Sequence, residues 1–132
     1  MKLSKENLLE SIFYPRKSTI PIDDKDHLVD VSGGVKVGIR LFIKDNNAPT
    51  ILYFHANAEI TNEYDDFATI YHHYGINLIV AGYRGYGHSS GQPSKDNLHD
   101  DSLYIFEYVK NYLIDNSISG SFIIMGRSLG SA

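Results

Sequence analysis

Residues 122–130 read Phe-Ile-Ile-Met-Gly-Arg-Ser-Leu-Gly, and this stretch decides the fold of the chain. Its four leading apolar residues have the pattern of a strand that is buried on both faces. The Gly-x-Ser-x-Gly that follows, with Ser128 at its centre, is the sequence form of a nucleophile elbow, a strained turn between a strand and a helix. Glycines on both sides of Ser128 let such a turn approach neighbouring strands, because they carry no Cβ. The stretch therefore predicts a strand and a turn that presents a serine.

Two further apolar runs of the same kind lie upstream, at residues 51–54 and 77–81. A helix is predicted between them from apolar residues at steps of three and four, namely Ile60, Tyr64, Phe67, Tyr71 and Tyr74. A second helix, capped by Ser94, is predicted before residue 122, and one side of it carries Leu98, Ser102, Ile105, Val109 and Tyr112. This alternation of strands and helices predicts an α/β fold with a mostly parallel sheet and flanking helices. The segments that follow the three apolar runs are then expected to converge on one edge of the sheet.

The N-terminal part of the chain has a different pattern. Residues 27–32 and 35–44 are rich in β-branched side chains, and Gly33 and Gly34 between them can adopt positive φ, which predicts an antiparallel hairpin at the sheet edge. Residues 1–26 are predicted to form a peripheral segment. Its beginning is either a short helix capped by Ser4, with Leu8, Leu9 and Ile12 on one face, or a loose tail. Residues 1–132 then form a single α/β domain.

Composition argues against several classes of function. The 132 residues include 12 Lys+Arg and 16 Asp+Glu, for a net charge of -4, and the basic residues are scattered, which disfavours a nucleic-acid partner. There is no cysteine, which excludes disulfides and thiolate chemistry within these residues and fits a cytoplasmic protein. No apolar run approaches the roughly 20 residues of a membrane span, and charges interrupt the N-terminus before a signal-peptide core could form.

Three segments at the ends of predicted strands carry a family resemblance. They are residues 55–59 (His-Ala-Asn-Ala-Glu), 82–94 (Gly-Tyr-Arg-Gly-Tyr-Gly-His-Ser-Ser-Gly-Gln-Pro-Ser) and 126–132 (Gly-Arg-Ser-Leu-Gly-Ser-Ala). In order and spacing they resemble the α/β-hydrolase superfamily, and within it the serine hydrolases of the Bem46-like and ABHD17-like type, over about residues 27 to 132. Ala56 and Gly82 depart from the family, which usually has glycine and aspartate there, and both departures suggest relaxed constraint.

The resemblance implies a serine hydrolase that acts on carboxylic esters or thioesters through an acyl-enzyme. It makes Ser128 the nucleophile and the backbone N–H groups of Asn57 and Leu129 the oxyanion hole. Two fixed amide donors stabilise the negative charge that develops on oxygen in the intermediate. The implied partner is a small-molecule ester or thioester, with no cofactor and no metal.

The same resemblance implies an acid and a histidine that follow the serine in chain order, and neither follows Ser128 within these 132 residues. We therefore expect the N-terminal half of a truncated hydrolase, nearly inert alone because an unactivated serine is a weak nucleophile. The alternative is a noncatalytic interaction module, or a half that complements a partner chain. In a truncated hydrolase, residues 121–125 would form an open apolar sheet edge. A nucleotide-binding domain is disfavoured, because no Gly-x-Gly-x-x-G or Walker sequence is present.

The six histidines are predicted to be structural or exposed. His55 is expected to make a structural hydrogen bond in the oxyanion turn, because the family's general base comes after the last strand. His88 is expected to be solvated, and His27 and His99 to lie on the surface. The adjacent His72 and His73 point about 100° apart on a helix and cannot share a metal.

The paired aspartates and the tyrosines have plain structural interpretations as well. The pairs are Asp23-Asp24, Asp65-Asp66 and Asp100-Asp101, and all are expected to be solvated. The ten tyrosines are expected to make core and interface contacts.

Overall fold

A five-stranded sheet forms the centre of the computed structural model, which describes residues 16–55 and 59–126. Its strands are β1 (Asp26–Asp30), β2 (Lys36–Phe42), β3 (Thr50–Phe54), β4 (Asn77–Ala81) and β5 (Phe122–Gly126). Their order across the sheet is β1-β2-β4-β3-β5. Strand β3 pairs in parallel with β4 and β5, whereas β2 is antiparallel to both β1 and β4. This mixed sheet confirms the predicted α/β fold with an N-terminal hairpin at one edge.

The turn of the hairpin is a short 3-10 helix at Ser32–Gly34. Gly33 and Gly34 have φ values of 73° and 71°, a region that glycine adopts at little cost and other residues rarely enter. The N–H of Val31 donates to the carbonyl oxygen of Val35 at 2.9 Å and closes the turn. Glycine is thus needed where the sequence predicted the turn.

Two α-helices connect the parallel strands. Helix α1 (Asp65–His73) follows a 3-10 turn at Thr61–Tyr64 and precedes β4, and α2 (Lys95–Asp115) lies between β4 and β5. The side chain of Ser94 accepts a hydrogen bond from the backbone N–H of Asn97 at 3.2 Å. The predicted cap of α2 is therefore confirmed.

Alternate residues of the central strands point to opposite faces and build two apolar clusters. On β4, Ile79 and Ala81 belong to the cluster on the α2 side, whereas Leu78 and Val80 belong to the cluster on the α1 side. The α2 cluster takes six apolar residues from the helix: Leu98, Ile105, Tyr108, Val109, Tyr112 and Leu113. Helices cover both faces of the sheet, as the sequence predicted.

The buried face of α1 differs from the predicted one. Phe67 and Tyr74 are 50% and 73% exposed, although their spacing assigned both to the core. Tyr64 and Ala68 are buried, together with a partly buried Tyr71. Tyr64, Ala68 and Tyr71 form the buried stripe, Phe67 lies at the side of this stripe, and Tyr74 follows the last residue of α1.

Strand β5 is exposed where its composition predicts burial on both faces. Ile123, Ile124 and Met125 are 46%, 55% and 40% exposed, whereas every residue of β3 and β4 is buried. One side of β5 pairs with β3, and no strand in the described part of the chain pairs with its other side. The open apolar edge expected at residues 121–125 is present in this part of the structure.

The segment before β1 contacts the main body through an isolated parallel bridge between Lys17 and Gly87. The helix predicted from Ser4, Leu8, Leu9 and Ile12 lies outside the described residues, and the division at residue 26 stays a prediction. Across residues 16–55 and 59–126, no helix combines the length and apolar character needed to cross a membrane.

Candidate functional site

The carboxyl ends of three parallel strands lie together at one edge of the sheet. Phe54, the last residue of β3, is in register with Ala81 of β4 and with Gly126 of β5. The segments that follow these residues therefore start at the same level of the sheet. This register confirms the predicted convergence of the three strand ends, at the edge where open α/β sheets bind their ligands.

The residues predicted to carry the chemistry, Ser128, Asn57 and Leu129, lie outside the described residues, as does Ala56. Their roles stay predictions. The described residues next to them in the chain are His55, which follows β3, and Gly126, which ends β5.

His55 is held in a fully buried aromatic cluster. Its carbonyl oxygen accepts a hydrogen bond from the Tyr83 hydroxyl at 2.6 Å. Its ring packs edge-on against Tyr83, with centroids 4.6 Å apart, and tilted against Tyr86 at 5.7 Å. The exposed fraction of His55 is 0%. The structural hydrogen bond expected for this residue is present at its backbone carbonyl oxygen.

Gly82 has a steric reason to be glycine. A Cβ added at this position would lie 2.9 Å from the carbonyl oxygen of Gly38 on β2, and the Gly82 N–H donates to that same oxygen at 3.0 Å. A side chain would force the loop and β2 apart. In this chain the close approach of β2 requires glycine at position 82.

The loop after β4 is fastened to α2 by a buried ion pair. The Arg84 Nε and a terminal nitrogen donate to the two carboxylate oxygens of Asp101 at 2.7 and 2.9 Å. Arg84 also donates to the carbonyl oxygen of Ser32 in the hairpin turn at 3.1 Å. The hydrogen bonds with Asp101 raise the pKa of Arg84. One guanidinium therefore joins the loop, the hairpin and the helix.

Residues just before β1 fasten the same loop from the other side. The Gly87 N–H donates to the Arg16 carbonyl oxygen at 2.6 Å, and Lys17 Nζ donates to the Ser89 carbonyl oxygen at 2.6 Å. Arg16 also pairs with Glu63, which lies in the 3-10 turn before α1, at 2.6 Å. The N-terminal segment therefore links the loops that follow β3 and β4.

The paired aspartates are not all solvated, which corrects the prediction. Asp101 is 5% exposed and pairs with Arg84. The side chains of Asp23, Asp26 and Asp65 pair with Arg40 on β2 at 2.8, 3.0 and 2.7 Å. Of the six residues in the aspartate pairs, Asp24, Asp66 and Asp100 are exposed and form no ion pair within the described part of the chain.

Hydrogen bonds shift the pKa values of Arg40 and Asp23, which form a cluster with Asp26 and Asp65. Burial alone would lower the pKa of Arg40, but hydrogen bonds to Asp65, Asp23 and Asp26 raise it above its usual value. The bond from Arg40 and the backbone N–H of Lys25 lower the pKa of Asp23 to about 2. The cluster joins the segment before β1, β1 itself, β2 and α1.

Two histidines are less exposed than predicted. His88 is half-buried, and its Nε2 is buried with no hydrogen-bond partner in the described part of the chain. His27 on β1 lies with its Nδ1 2.6 Å from the hydroxyl of Tyr108 on α2 and packs edge-on against Tyr112. His99 is exposed, as predicted.

His72 and His73 line an open groove at the opposite edge of the sheet. The groove has a volume of about 650 Å³ and is also lined by Lys44, Asp45 and Asn77. His72 Nε2 lies 2.8 Å from the carbonyl oxygen of Phe42, and Asn77 accepts hydrogen bonds from the N–H groups of Lys44 and Asp45. The polar groups of the groove serve the fold, far from the converging strand ends.

The described residues hold no candidate metal site. Among residues 16–55 and 59–126, no three His, Asp or Glu side chains are arranged to hold a metal ion.

A hydrogen bond joins Tyr64 to Glu59, whose carboxylate accepts from the tyrosine hydroxyl at 2.9 Å. Burial, followed by hydrogen bonding to Tyr53 and Glu59, raises the pKa of Tyr64.

The sequence did not identify the residues that hold the site loops, namely Lys17, Tyr83, Arg84 and Asp101. The partners of these bonds are distant in the chain, 72 residues for Lys17 and Ser89 and 28 for Tyr83 and His55. No local periodicity reports such pairs. The sequence pointed to Tyr83 and Arg84 in one way, because both lie in the segment 82–94 that resembles the family.

Comparison with curated proteins identifies relatives over part of the chain. The protein bem46 of Schizosaccharomyces pombe is 35% identical over 85 residues, which are 64% of this chain and 28% of that protein. The lysophosphatidylserine lipase ABHD12 of Rattus norvegicus is 35% identical over 89 residues, which are 65% of this chain and 21% of that protein. The chain thus spans about a quarter of the length of these relatives. No protein-family model matches the chain.

Solved structures share the fold. A CIB-like hydrolase from Thermoplasma acidophilum superposes with a TM-score of 0.53 at 28% identity, covering 80% of this chain and 51% of that one. The esterase Pf2001 of Pyrococcus furiosus superposes with a TM-score of 0.60 at 17% identity, covering 89% of this chain and 47% of that one. The second likeness concerns the fold alone.

Proposed function

Because this chain is related to the α/β-hydrolase superfamily over part of its length, we propose that it supplies the nucleophile and oxyanion hole of a serine hydrolase. The register of Phe54 with Ala81 and Gly126 is the observation that carries the proposal. It starts the segment of Ser128 and the segment of Asn57 at one level of the sheet. The names of two relatives, a lysophosphatidylserine lipase and a hydrolase, agree with this chemistry.

The proposed reaction is hydrolysis of a carboxylic ester or thioester. The Ser128 hydroxyl oxygen attacks the acyl carbon while its proton passes to a base, and the carbonyl electrons move onto oxygen. The backbone N–H groups of Asn57 and Leu129 are proposed to donate to this oxyanion, where one donor is worth about 3 kcal/mol. The intermediate expels the protonated alcohol or thiol, and water then releases the acyl group as a carboxylic acid.

The described histidines do not offer an evident base. His55 is fully buried, His72 and His73 line the opposite edge, and His27 contacts Tyr108. His88 lies in the loop after β4 and is the histidine that a test must include. We propose that the acid and histidine come from a segment or chain outside residues 1–132, so that the 132-residue chain alone is nearly inert.

Labelling and turnover test this proposal. The 132-residue chain should neither hydrolyse p-nitrophenyl butyrate nor react with a fluorophosphonate probe. A protein extended through the following coding sequence, or mixed with a complementing half, should do both, and Ser128→Ala should abolish both activities. Ser119→Ala is the matched control, because Ser119 is exposed and lies before β5.

Two results would contradict the proposal. Turnover by the extended protein that survives Ser128→Ala excludes Ser128 as nucleophile. Labelling of the 132-residue chain that disappears in His88→Asn shows that the base lies within this chain.

The open edge of β5 favours a second candidate, a noncatalytic half that completes its sheet with a partner chain. Three apolar side chains of β5 are 40–55% exposed, and a further strand would cover them. Size-exclusion chromatography distinguishes the candidates. A monomer with cooperative unfolding favours an independent module, whereas material that is soluble only with a second chain favours complementation.

A further inference from the structure

The exit of the chain from β3 is tied to the loop after β4 by one short hydrogen bond. The Tyr83 hydroxyl donates to the carbonyl oxygen of His55 at 2.6 Å. Tyr83 is 5% exposed and His55 is 0% exposed, so water cannot readily replace this bond. Leaving a buried carbonyl without its donor carries the full desolvation cost of that group.

The Tyr83 side chain, which donates this hydrogen bond, is held in place by contacts of the residues around it. Gly82, which precedes Tyr83, is hydrogen-bonded to Gly38 at 3.0 Å, and Arg84, which follows it, is bound to Asp101 on α2. The Tyr83 ring also packs edge-on against Tyr86, with centroids 5.5 Å apart. Residues on both sides of Tyr83 are therefore anchored to separate elements.

We propose that Tyr83 is a positioning residue, whose hydroxyl fixes the His55 carbonyl and so sets the direction in which the chain leaves β3. The catalytic part of this inference rests on the proposed function, in which the turn after His55 supplies an oxyanion donor. A peptide group is planar, so fixing the His55 carbonyl oxygen orients the peptide group between His55 and Ala56, from which the chain continues to the proposed donor at Asn57. Oxyanion donors need placement within about 0.5 Å, which a freely rotating peptide does not provide.

The donor state of Tyr83 is stable over the working range of pH. Burial, with smaller contributions from Tyr86, Tyr53 and Glu59, raises the pKa of Tyr83. The hydroxyl therefore keeps its proton at neutral pH and can donate it to the carbonyl.

Amide hydrogen exchange tests the anchor without any need for enzyme activity. The 132-residue chain is compared as wild type, Tyr83→Phe and Tyr108→Phe. Tyr108→Phe is the matched control, because it removes another hydroxyl contact of 2.6 Å, between α2 and His27 on β1. Tyr83→Phe should accelerate exchange about fivefold in the fragment covering residues 53–60 and leave the fragment covering 104–113 unchanged. Tyr108→Phe should leave 53–60 unchanged.

Unchanged exchange at residues 53–60 in Tyr83→Phe, or equal acceleration in every fragment, overturns the anchor. If Tyr83→Phe does not fold, Arg84→Lys takes its place, because lysine cannot make both bonds to Asp101 and loosens the support of Tyr83. Faster exchange at 53–60 in that variant supports the anchor, and wild-type exchange there overturns it.

Kinetics test the positioning role in the catalytically competent form of the protein. Tyr83→Phe should lower kcat for p-nitrophenyl butyrate about tenfold and leave KM within about twofold, because the oxyanion donor acts in the transition state. Tyr108→Phe should change neither. An unchanged kcat overturns the positioning role. Absence of turnover in the wild type contradicts the proposed function instead, and the exchange result then decides the anchor alone.

Discussion

At the residue scale, two buried arginines organise the charged groups of this chain. Arg40 is 3% exposed and Arg84 is 8% exposed, and each binds carboxylates from other elements. The planar guanidinium presents several donors in a fixed geometry, which suits these multiple contacts better than a lysine would. Exposed ion pairs such as Lys36 with Asp30 contribute about 1 kcal/mol or less. Removing the carboxylate partner of a buried arginine should therefore lower the free energy of unfolding more than breaking an exposed pair does.

Asp101→Ala should lower the free energy of unfolding by about 3 kcal/mol, because it leaves the buried Arg84 guanidinium without its carboxylate. Asp100→Ala is the matched control on an exposed neighbour and should change it by about 0.5 kcal/mol or less. Urea unfolding followed by circular dichroism measures both. Equal losses in the two variants would show that the pair between Arg84 and Asp101 is not specifically stabilising.

The Asp23 carboxylate should make the free energy of unfolding depend on pH. Its pKa falls from an ordinary value of 3.8 to about 2 in the folded chain, chiefly through the hydrogen bond from Arg40. A carboxylate with a depressed pKa stabilises the fold above the unfolded value, and this contribution is lost as the pH falls from about 4 to about 2. Urea midpoints at pH 5, 3.5 and 2.5 should decline less steeply in Asp23→Asn than in wild type. Parallel declines contradict the assignment.

At the element scale, β5 shows how position overrides composition. Ile51 on β3 and Ile123 on β5 are in register and point to the same face of the sheet, yet they are 7% and 46% exposed. Their local sequences are equally apolar. The difference arises because β3 has neighbours on both sides and α1 near its face, whereas β5 is the last strand of the sheet in the described part.

Lysine substitutions at these two positions should have opposite outcomes. Ile123→Lys should leave the circular dichroism spectrum unchanged and reduce self-association, because a charge on an exposed edge discourages pairing. Ile51→Lys should prevent folding, because it places a charge in the core. Analytical ultracentrifugation and thermal unfolding measure the contrast. Stronger self-association of Ile123→Lys than of wild type contradicts the account of the edge.

At the scale of the whole molecule, strand order and register bring together segments that are far apart in sequence. Phe54 at the end of β3 and Gly126 at the end of β5 are 72 residues apart in the chain, yet they are in register in the sheet. The alternation of strands and helices predicted this convergence, because parallel strands connected by helices place their carboxyl ends at one edge. The family motifs then assigned roles to Ser128, Asn57 and Leu129, and those roles stay predictions.

The sequence by itself determined the strands, the glycine turn of the hairpin, the Ser94 cap and the buried side of α2, because each depends on residues a few positions apart. Only the tertiary structure decided the exposure of β5, the buried partners of Asp101 and Asp23, the steric need for glycine at Gly82 and the bond from Tyr83 to His55. The exposure of Phe67 and Tyr74 belongs with these. Burial and ion pairing depend on contacts between residues that are distant in the chain, and a local sequence pattern carries no information about such contacts.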